Sequence, residues 1–245
     1  MSSIIVPDSS PRGAAPYRCF DLIMAFFVAI LVSSNVASSA KIVDPGISVW
    51  GIGLIFDGGT LFFPLSYLFG DILTEVYGFR ASRRVIWTGF AALALVSLAF
   101  GVLRALPGAG EWEGYAGSAA YDAILGGMST GGIALASLLG YWIGEFSNSV
   151  ILSRMKILSR GKFLWMRTIG STLAGELLDS LVFVFIATLA GVFVWADFKS
   201  LVFTNYVLKC LVEALLTPFT CLAIGALKKA EGIDVYDNGV RYRPF

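Results

Sequence analysis

The sequence predicts an all-α membrane protein, a bundle of six transmembrane helices forming one domain over residues 1–245. Three observations lead there. The chain is 57% hydrophobic and only 14% charged, where a soluble domain carries about a quarter charged residues, and its mean hydropathy is +0.78. Six mostly apolar runs approach or exceed the ~20 residues that cross a bilayer. Lys and Arg gather in alternate connections between those runs, which is the charge pattern of a chain threaded through a membrane.

The chain opens with MSSIIVPDSSPRGAAPYR, which is proline-containing and lacks the apolar core of a cleaved signal peptide. Residues 1–17 therefore read as a cytoplasmic tail. The six expected spans are Cys19 to Ala40, Gly59 to Tyr77, Val85 to Leu106, Asp122 to Ile151, Trp165 to Trp195 and Leu201 to Leu227. The fourth and fifth exceed one bilayer and imply tilt or extension beyond it. Between the first two, Asp44-Pro45-Gly46 signals a turn. The apolar stretch Ile47 to Phe56, with Trp50, is too short to cross. It suits a β-hairpin arm, a re-entrant piece or an interfacial segment. Arg80, Arg83 and Arg84 mark the second connection. Arg154, Lys156, Arg160 and Lys162 mark the fourth, and Lys228, Lys229, Arg241 and Arg243 mark a second cytoplasmic tail over residues 228–245. The intervening connections carry mostly Asp and Glu, so both termini are expected in the cytoplasm.

Acids within an apolar helix are costly, roughly 2.5–3.5 kcal/mol each on insertion scales. The fifth span holds two, Glu176 and Asp179, on one helical face behind the small residues Gly170, Ser171, Ala174 and Gly175. They read either as a structural ion pair or as a substrate or proton site. A short phrase of Gly, an acid, two residues and then polar groups occurs at Gly70-Asp71, Gly144-Glu145 and Gly175-Glu176. Asp71 and Glu176 then fall on the second and fifth spans, which correspond in an inverted 3+3 repeat, although Glu145 and Asn148 on the fourth do not fit a simple two-fold. Glu75 is expected to pair with Arg80, Arg83 or Arg84. Lys209 and Glu213 are four residues apart and can pair with each other, while Lys209 equally suits Asp179 or Asp71. Pro218 invites a kink. In the polar end of the first span, Asn35 offers both donors and acceptors.

The chain has no histidine, so any proton coupling falls to carboxylates or Lys. Cys19, Cys210 and Cys221 form no CxxC pair and read as small apolar filler. Neither metal nor cofactor is called for. No GxxxxGK[ST] loop is present, so the chain is not itself an ATPase. No nucleophile–base set accompanies the acids, and an enzyme is not expected.

Three blocks, FPLSYLFGDILTEVYGFRASRR (63–84), GEFSNSVILSRMK (144–156) and RTIGSTLAGELLDSLVFVFIA (167–187), resemble the queuosine precursor transporter family, also called vitamin-uptake-transporter-like. Ser34-Asn35 and the Lys209…Pro218 spacing resemble it too. The resemblance implies a bacterial inner-membrane protein importing 7-deazaguanine bases for tRNA modification, as a secondary transporter. The alternative is the substrate-binding subunit of an ATP-driven importer. The expected binding set is Asn35, Asp71, Glu145, Asn148, Glu176, Asp179 and Lys209, with Phe63, Tyr67 or Trp50 covering the flat face of the base. The expected partners are the nucleobase, the lipid bilayer and, left open, a second copy in a homodimer, with no nucleic acid.

Overall fold

The computed structural model describes residues 17–49, 52–129 and 132–244. Trp50 and the tail before Tyr17 lie outside the described residues. The helices are α1 (Phe20–Ala40), α2 (Phe63–Tyr77), α3 (Phe79–Ala105), α4 (Gly110–Tyr115), α5 (Gly117–Ser129), α6 (Gly132–Leu158), α7 (Leu164–Leu189) and α8 (Phe198–Glu231). Among the described residues, five stretches are long and apolar enough to cross a membrane: α1, α3, the Gly117–Leu158 run, α7, and α8 with the turn before it. The chain is a multi-pass, helical membrane protein.

The second expected span is shorter than the rest. Helix α2 has 15 residues, about 22 Å at 1.5 Å per residue, against a hydrocarbon thickness of ~30 Å. A 3₁₀ turn, Gly58–Leu61, leads into it. Before that turn the chain doubles back as nested antiparallel ribbons. Ile42–Val43 pairs with Phe56–Asp57, and Ser48–Val49 pairs with Ile52–Gly53. Of the three expectations for this segment, the hairpin is the one seen. Pro64 sits in the first turn of α2, where its missing N–H costs nothing. Gly78 ends the helix at φ 84°, a conformation that glycine adopts freely, and α3 starts at the next residue.

Helices α1, α2, α3, α6, α7 and α8 alternate in direction, as contacts at their two ends show. At one end, the backbone N–H groups of Arg18 and Cys19 donate to Glu231 at the end of α8, and Asp237 accepts from the Phe79 N–H and from Ser153. At the other, Ser38 of α1 bonds Asp57, Arg104 of α3 pairs with Asp122 of α5, and Thr60 lies against Asn205 of α8. The start of α1, the residues after α8 and the basic connections thus share one end of the bundle.

The bundle is apolar outside and polar within. Leu98, Leu215 and Leu222 are 65–74% exposed, while Asp71, Glu75, Glu145, Arg167 and Glu176 have no exposed surface. That is the polarity a lipid solvent imposes. Helix α2 is the centre, packed against α1, α3, α6 and α8.

Glu75 does not pair with Arg80, Arg83 or Arg84. It meets Arg167 and Lys228, each at 2.7 Å, and Lys156 at 3.5 Å. The turn at Gly78 carries α3 off, and Arg83 donates instead to the Arg243 carbonyl. The ends of α6, α7 and α8 converge on Glu75 in its place. Residues after 228 are also no loose tail. Helix α8 runs on to Glu231, and Asp234 then bridges Lys156 and Lys228 at 2.7 and 2.8 Å. Pro218 lies inside the unbroken α8.

Helices α6 and α7 approach most closely through glycine. A Cβ on Gly144 would stand 2.4 Å from the Tyr67 hydroxyl, 2.7 Å from the Asp179 Cβ and 3.0 Å from the Gly175 carbonyl. Backbone lines one side of that contact and does not yield. Gly144→Ala is therefore expected to destabilise the protein by about 1–3 kcal/mol, the usual cost of overpacking, read as a lower thermal midpoint in detergent. Gly225→Ala, where no atom lies within 4 Å, is the control and should leave that midpoint in place or raise it.

Candidate functional site

Two residues one turn apart on α7 meet one lysine on α8. The Lys209 ammonium donates to the Asp179 carboxylate and lies 3.3 Å from Glu176 Oε2. It also stands 4.4 Å above the Phe63 ring, a cation–π contact. All three charged side chains are buried, Lys209 at 5% exposure, Asp179 at 2% and Glu176 at 0%. Of the partners open to Lys209 in the sequence, Asp179 is the one taken, and the pairing with Glu213 is not formed. The flexible lysine stem crosses to α7, where two carboxylates outbid one. Glu213 is left one turn along α8, within electrostatic range of Asp71 and Glu176 and beside Thr172.

A second tier lies behind this one. Asn148 Nδ2 donates to Asp71 Oδ1 at 2.8 Å, joining α6 to α2. Glu145 sits against Gly70, whose absent side chain makes the room: a Cβ there would fall 1.8 Å from Glu145 Oε1. Glu145 is within electrostatic range of Asp71, Glu176, Glu213 and Asp179. The three copies of the glycine–acid phrase therefore meet, Gly70 against Glu145 and Gly144 against Gly175. In each copy the glycine admits a neighbouring helix and the acid turns into the shared interior.

Five carboxylates, Asp71, Glu145, Glu176, Asp179 and Glu213, thus lie in the bundle interior. Among the described residues Lys209 is the one cation paired with any of them. Both carboxylate oxygens of Glu145, Glu176 and Glu213, with Asp71 Oδ2, Asn148 Oδ1 and the Tyr67 hydroxyl, have no hydrogen-bond partner among the described residues. Unmade bonds are expensive in a dry interior. A polar molecule entering here would meet an excess of acceptors and one mobile cation.

The seven expected residues do not form one set. Asp179 and Lys209 line a small pocket of about 10 Å³ together with Ser137 and Phe63, and Glu176 joins them through Lys209. Asp71, Glu145 and Asn148 form the second tier. Asn35 is fully buried, but its amide donates to the Leu31 carbonyl on its own helix at 2.8 Å. Among the described residues no bond ties it to the carboxylates. The sequence reading passed over Asp57, Ser38, Thr60 and Asn205, three of which line the same pocket. Asp57-Gly58-Gly59-Thr60 ahead of Phe63-Pro64 is a helix-entry pattern, an Asp cap before proline, and was the available signal.

Removing one partner of a buried pair leaves the other uncompensated, at a cost of about 3–5 kcal/mol. Lys209→Met is expected to lower thermal stability on that scale. Adding Asp179→Asn should recover much of the loss, since it removes the carboxylate that Lys209 holds most closely. Failure of the double variant to recover would show that Lys209 and Asp179 are energetically independent.

Residues 57–223 match the family described as "Putative vitamin uptake transporter". The chain is 25% identical over 171 residues to the queuosine precursor transporter of Escherichia coli K12, covering 70% of this chain and 69% of that one. It is 27% identical over 167 residues to a probable queuosine precursor transporter of Bacillus subtilis 168, covering 67% and 68%. A third relative, a probable queuosine precursor transporter of Haemophilus influenzae, is 25% identical over 160 residues, with 64% and 63% covered. No solved structure matches the chain. The matched region runs from the Asp57 turn through α2, α6 and α7 to well past Lys209, so it contains the whole carboxylate cluster: the chain belongs to the family described as putative vitamin uptake transporters.

Proposed function

We propose that this chain is a secondary transporter that carries 7-deazaguanine bases, the precursors of queuosine, inward across the bacterial inner membrane. One observation carries the reading: Lys209 shared by Asp179 and Glu176 at the middle of the bundle, amid carboxylates with unused acceptors. A guanine-type edge presents a ring N–H beside an exocyclic amine. A carboxylate accepts both at once, as it does from Arg. The ring carbonyl suits the Lys209 ammonium, and the Phe63 ring offers a flat neighbour. Asp179 or Glu176 reads the base edge, and the other keeps the lysine charged and oriented. Asp71, Asn148 and Glu145 support them from behind, with Asn35 a peripheral member of the set.

The membrane arrangement follows the same reading. Six passes, α1, α2, α3, α6, α7 and α8, place both termini in the cytoplasm, because the arginine-rich connections share the end that holds them. The halves α1–α3 and α6–α8 form an inverted repeat, with α4 and α5 as the connection.

Equilibrium binding on purified protein tests the proposal. 7-Deazaguanine should bind and adenine should not, since adenine lacks the adjacent donor pair. Asp179→Asn should weaken binding by about 2–5 kcal/mol, the range for breaking one side of a buried charged contact. Thermal midpoints on the same preparations separate lost recognition from lost folding. Equal affinity for both bases would overturn the base-edge reading. The chain reconstituted alone should take up the base without added ATP or a partner subunit, and dependence on either would favour a binding subunit.

A further inference from the structure

A second cavity, of about 380 Å³, lies at the end of the bundle away from the chain termini. Its volume falls within the ~300–1,000 Å³ of small-ligand sites, whereas the pocket at Lys209 has room for about one water. The Arg104–Asp122 ion pair, half exposed, stands at the mouth of the larger cavity. Ser38, Asp57 and Phe183 wall both cavities. The two are therefore neighbours, parted by a single layer of side chains.

Of that layer, Ser38 and Asp57 belong to a polar chain that continues through Thr60, on the inner pocket's wall, to Asn205 of α8, and Phe183 is its apolar part. Ser38 of α1 donates to Asp57 Oδ1 at 2.5 Å, and Thr60 donates to Asp57 Oδ2 at 3.0 Å. The Thr60 oxygen also lies 2.6 Å from the Asn205 amide of α8. A hydroxyl has one proton and cannot serve two acceptors. Turning the Asn205 amide over lets its nitrogen donate to Thr60 and frees the Thr60 proton for Asp57. It also gives Asn205 Nδ2 the partner it otherwise lacks. The chain then runs in one sense, Asn205 to Thr60 to Asp57, with Ser38 closing it from α1. The other bonds of Asp57, to the Gly59 and Thr60 N–H groups, stay within its own turn. Ser38 is its single side-chain tie to α1.

We infer that the larger cavity is the outer subsite of the transport path, taking a flat polar base, and that the Ser38–Asp57–Thr60–Asn205 chain is the barrier between it and Lys209. The inference rests on the transport reading above. The cavity has the surfaces such a base needs. Phe183 and Phe193 meet edge to face, their centroids 6.1 Å apart, and form an apolar wall, while the Asp57 carboxylate supplies an acceptor at the floor. Parting Ser38 from Asp57 removes the one side-chain bond between α1 and this carboxylate, while the Gly58 N–H on the Lys41 carbonyl and the Ile42–Asp57 pairing keep the backbone of the turn in place. An incoming N–H can take the place of the Ser38 hydroxyl at Asp57.

Cysteine reactivity tests both halves. In a chain with Cys19, Cys210 and Cys221 replaced by serine, Ala123→Cys reports on the outer cavity and Ser137→Cys on the inner pocket, each probed with a small cationic thiosulfonate. Ala123→Cys should react fast in every background. Ser137→Cys should react slowly, and Ser38→Ala should speed it by about tenfold, the equilibrium weight of one hydrogen bond. Ser38→Thr, which keeps the hydroxyl, should restore the slow rate, and thermal midpoints exclude general loosening. Unchanged Ser137→Cys reactivity in both Ser38→Ala and Asp57→Ala overturns the barrier. For the subsite, 7-deazaguanine should protect Ala123→Cys even when Asp179→Asn has weakened the inner site. Protection lost with Asp179→Asn, while the unsubstituted chain still binds the base, overturns the outer subsite alone. No binding by the unsubstituted chain overturns the transport reading, and the labelling rates without ligand still decide the barrier.

Discussion

The placement of one ammonium group governs the interior of this protein. Lys209 is buried beside two carboxylates, and a charge there is tolerated only with a partner and further hydrogen bonds. Asp179 and Glu176 share it, which draws α8 onto α7 and sets the depth of both. Glu213, on the same helix as Lys209, is left to the second tier. The Phe63 ring against the ammonium brings the start of α2 to the same point. Three helices are thereby referenced to a single atom, and the remaining acids arrange themselves behind it.

Close backbone approach makes such a polar interior compatible with tight packing. Gly70, Gly144 and Gly175 each precede an acid, and each faces a neighbouring helix at a distance no side chain permits. Tyr67 fills the gap between α6 and α7, its hydroxyl beside Gly144 and its ring edge beside Gly175. In lipid, where apolar surfaces gain nothing by associating, small residues and interhelical polar contacts hold helices together. Glycine and acid are therefore one device here, used three times.

The two ends of the bundle are built differently. At the end holding both termini, Glu75 gathers Arg167, Lys228 and Lys156, and Asp234 and Asp237 fold the last residues across the helix ends. Lys156 alone donates to Asp234 and to two backbone carbonyls. Burial opposes the charge on Asp234, yet bonds from Lys156 and Lys228 outweigh it and hold the carboxyl below its usual value. Several ionic contacts must part together for this end to open. At the opposite end a cavity already reaches the Asp57 turn, whose carboxylate is bonded to α1 through the Ser38 hydroxyl alone. The end at the Asp57 turn thus carries a cavity, and the other end is closed by ionic contacts.

The sequence by itself determined the membrane class, the apolar runs and the helix in which the central acids lie. Those follow from the cost of exposing backbone and charge to lipid, which any single run of residues must satisfy alone. The pairing of Glu176 with Asp179 on one face is a property of the helix repeat and needs no neighbour. Which helix each acid meets was decided only by tertiary structure. Glu75 has three arginines nearby in sequence and takes none of them, because the turn at Gly78 sends them elsewhere while α6, α7 and α8 arrive. Lys209 prefers another helix to its own fourth neighbour, since two carboxylates there hold the charge better than one. Asp57 shows the same division. Its cap role is local and legible, but its position between two cavities depends on α1 and α8, which lie far from it along the chain and beside it in space.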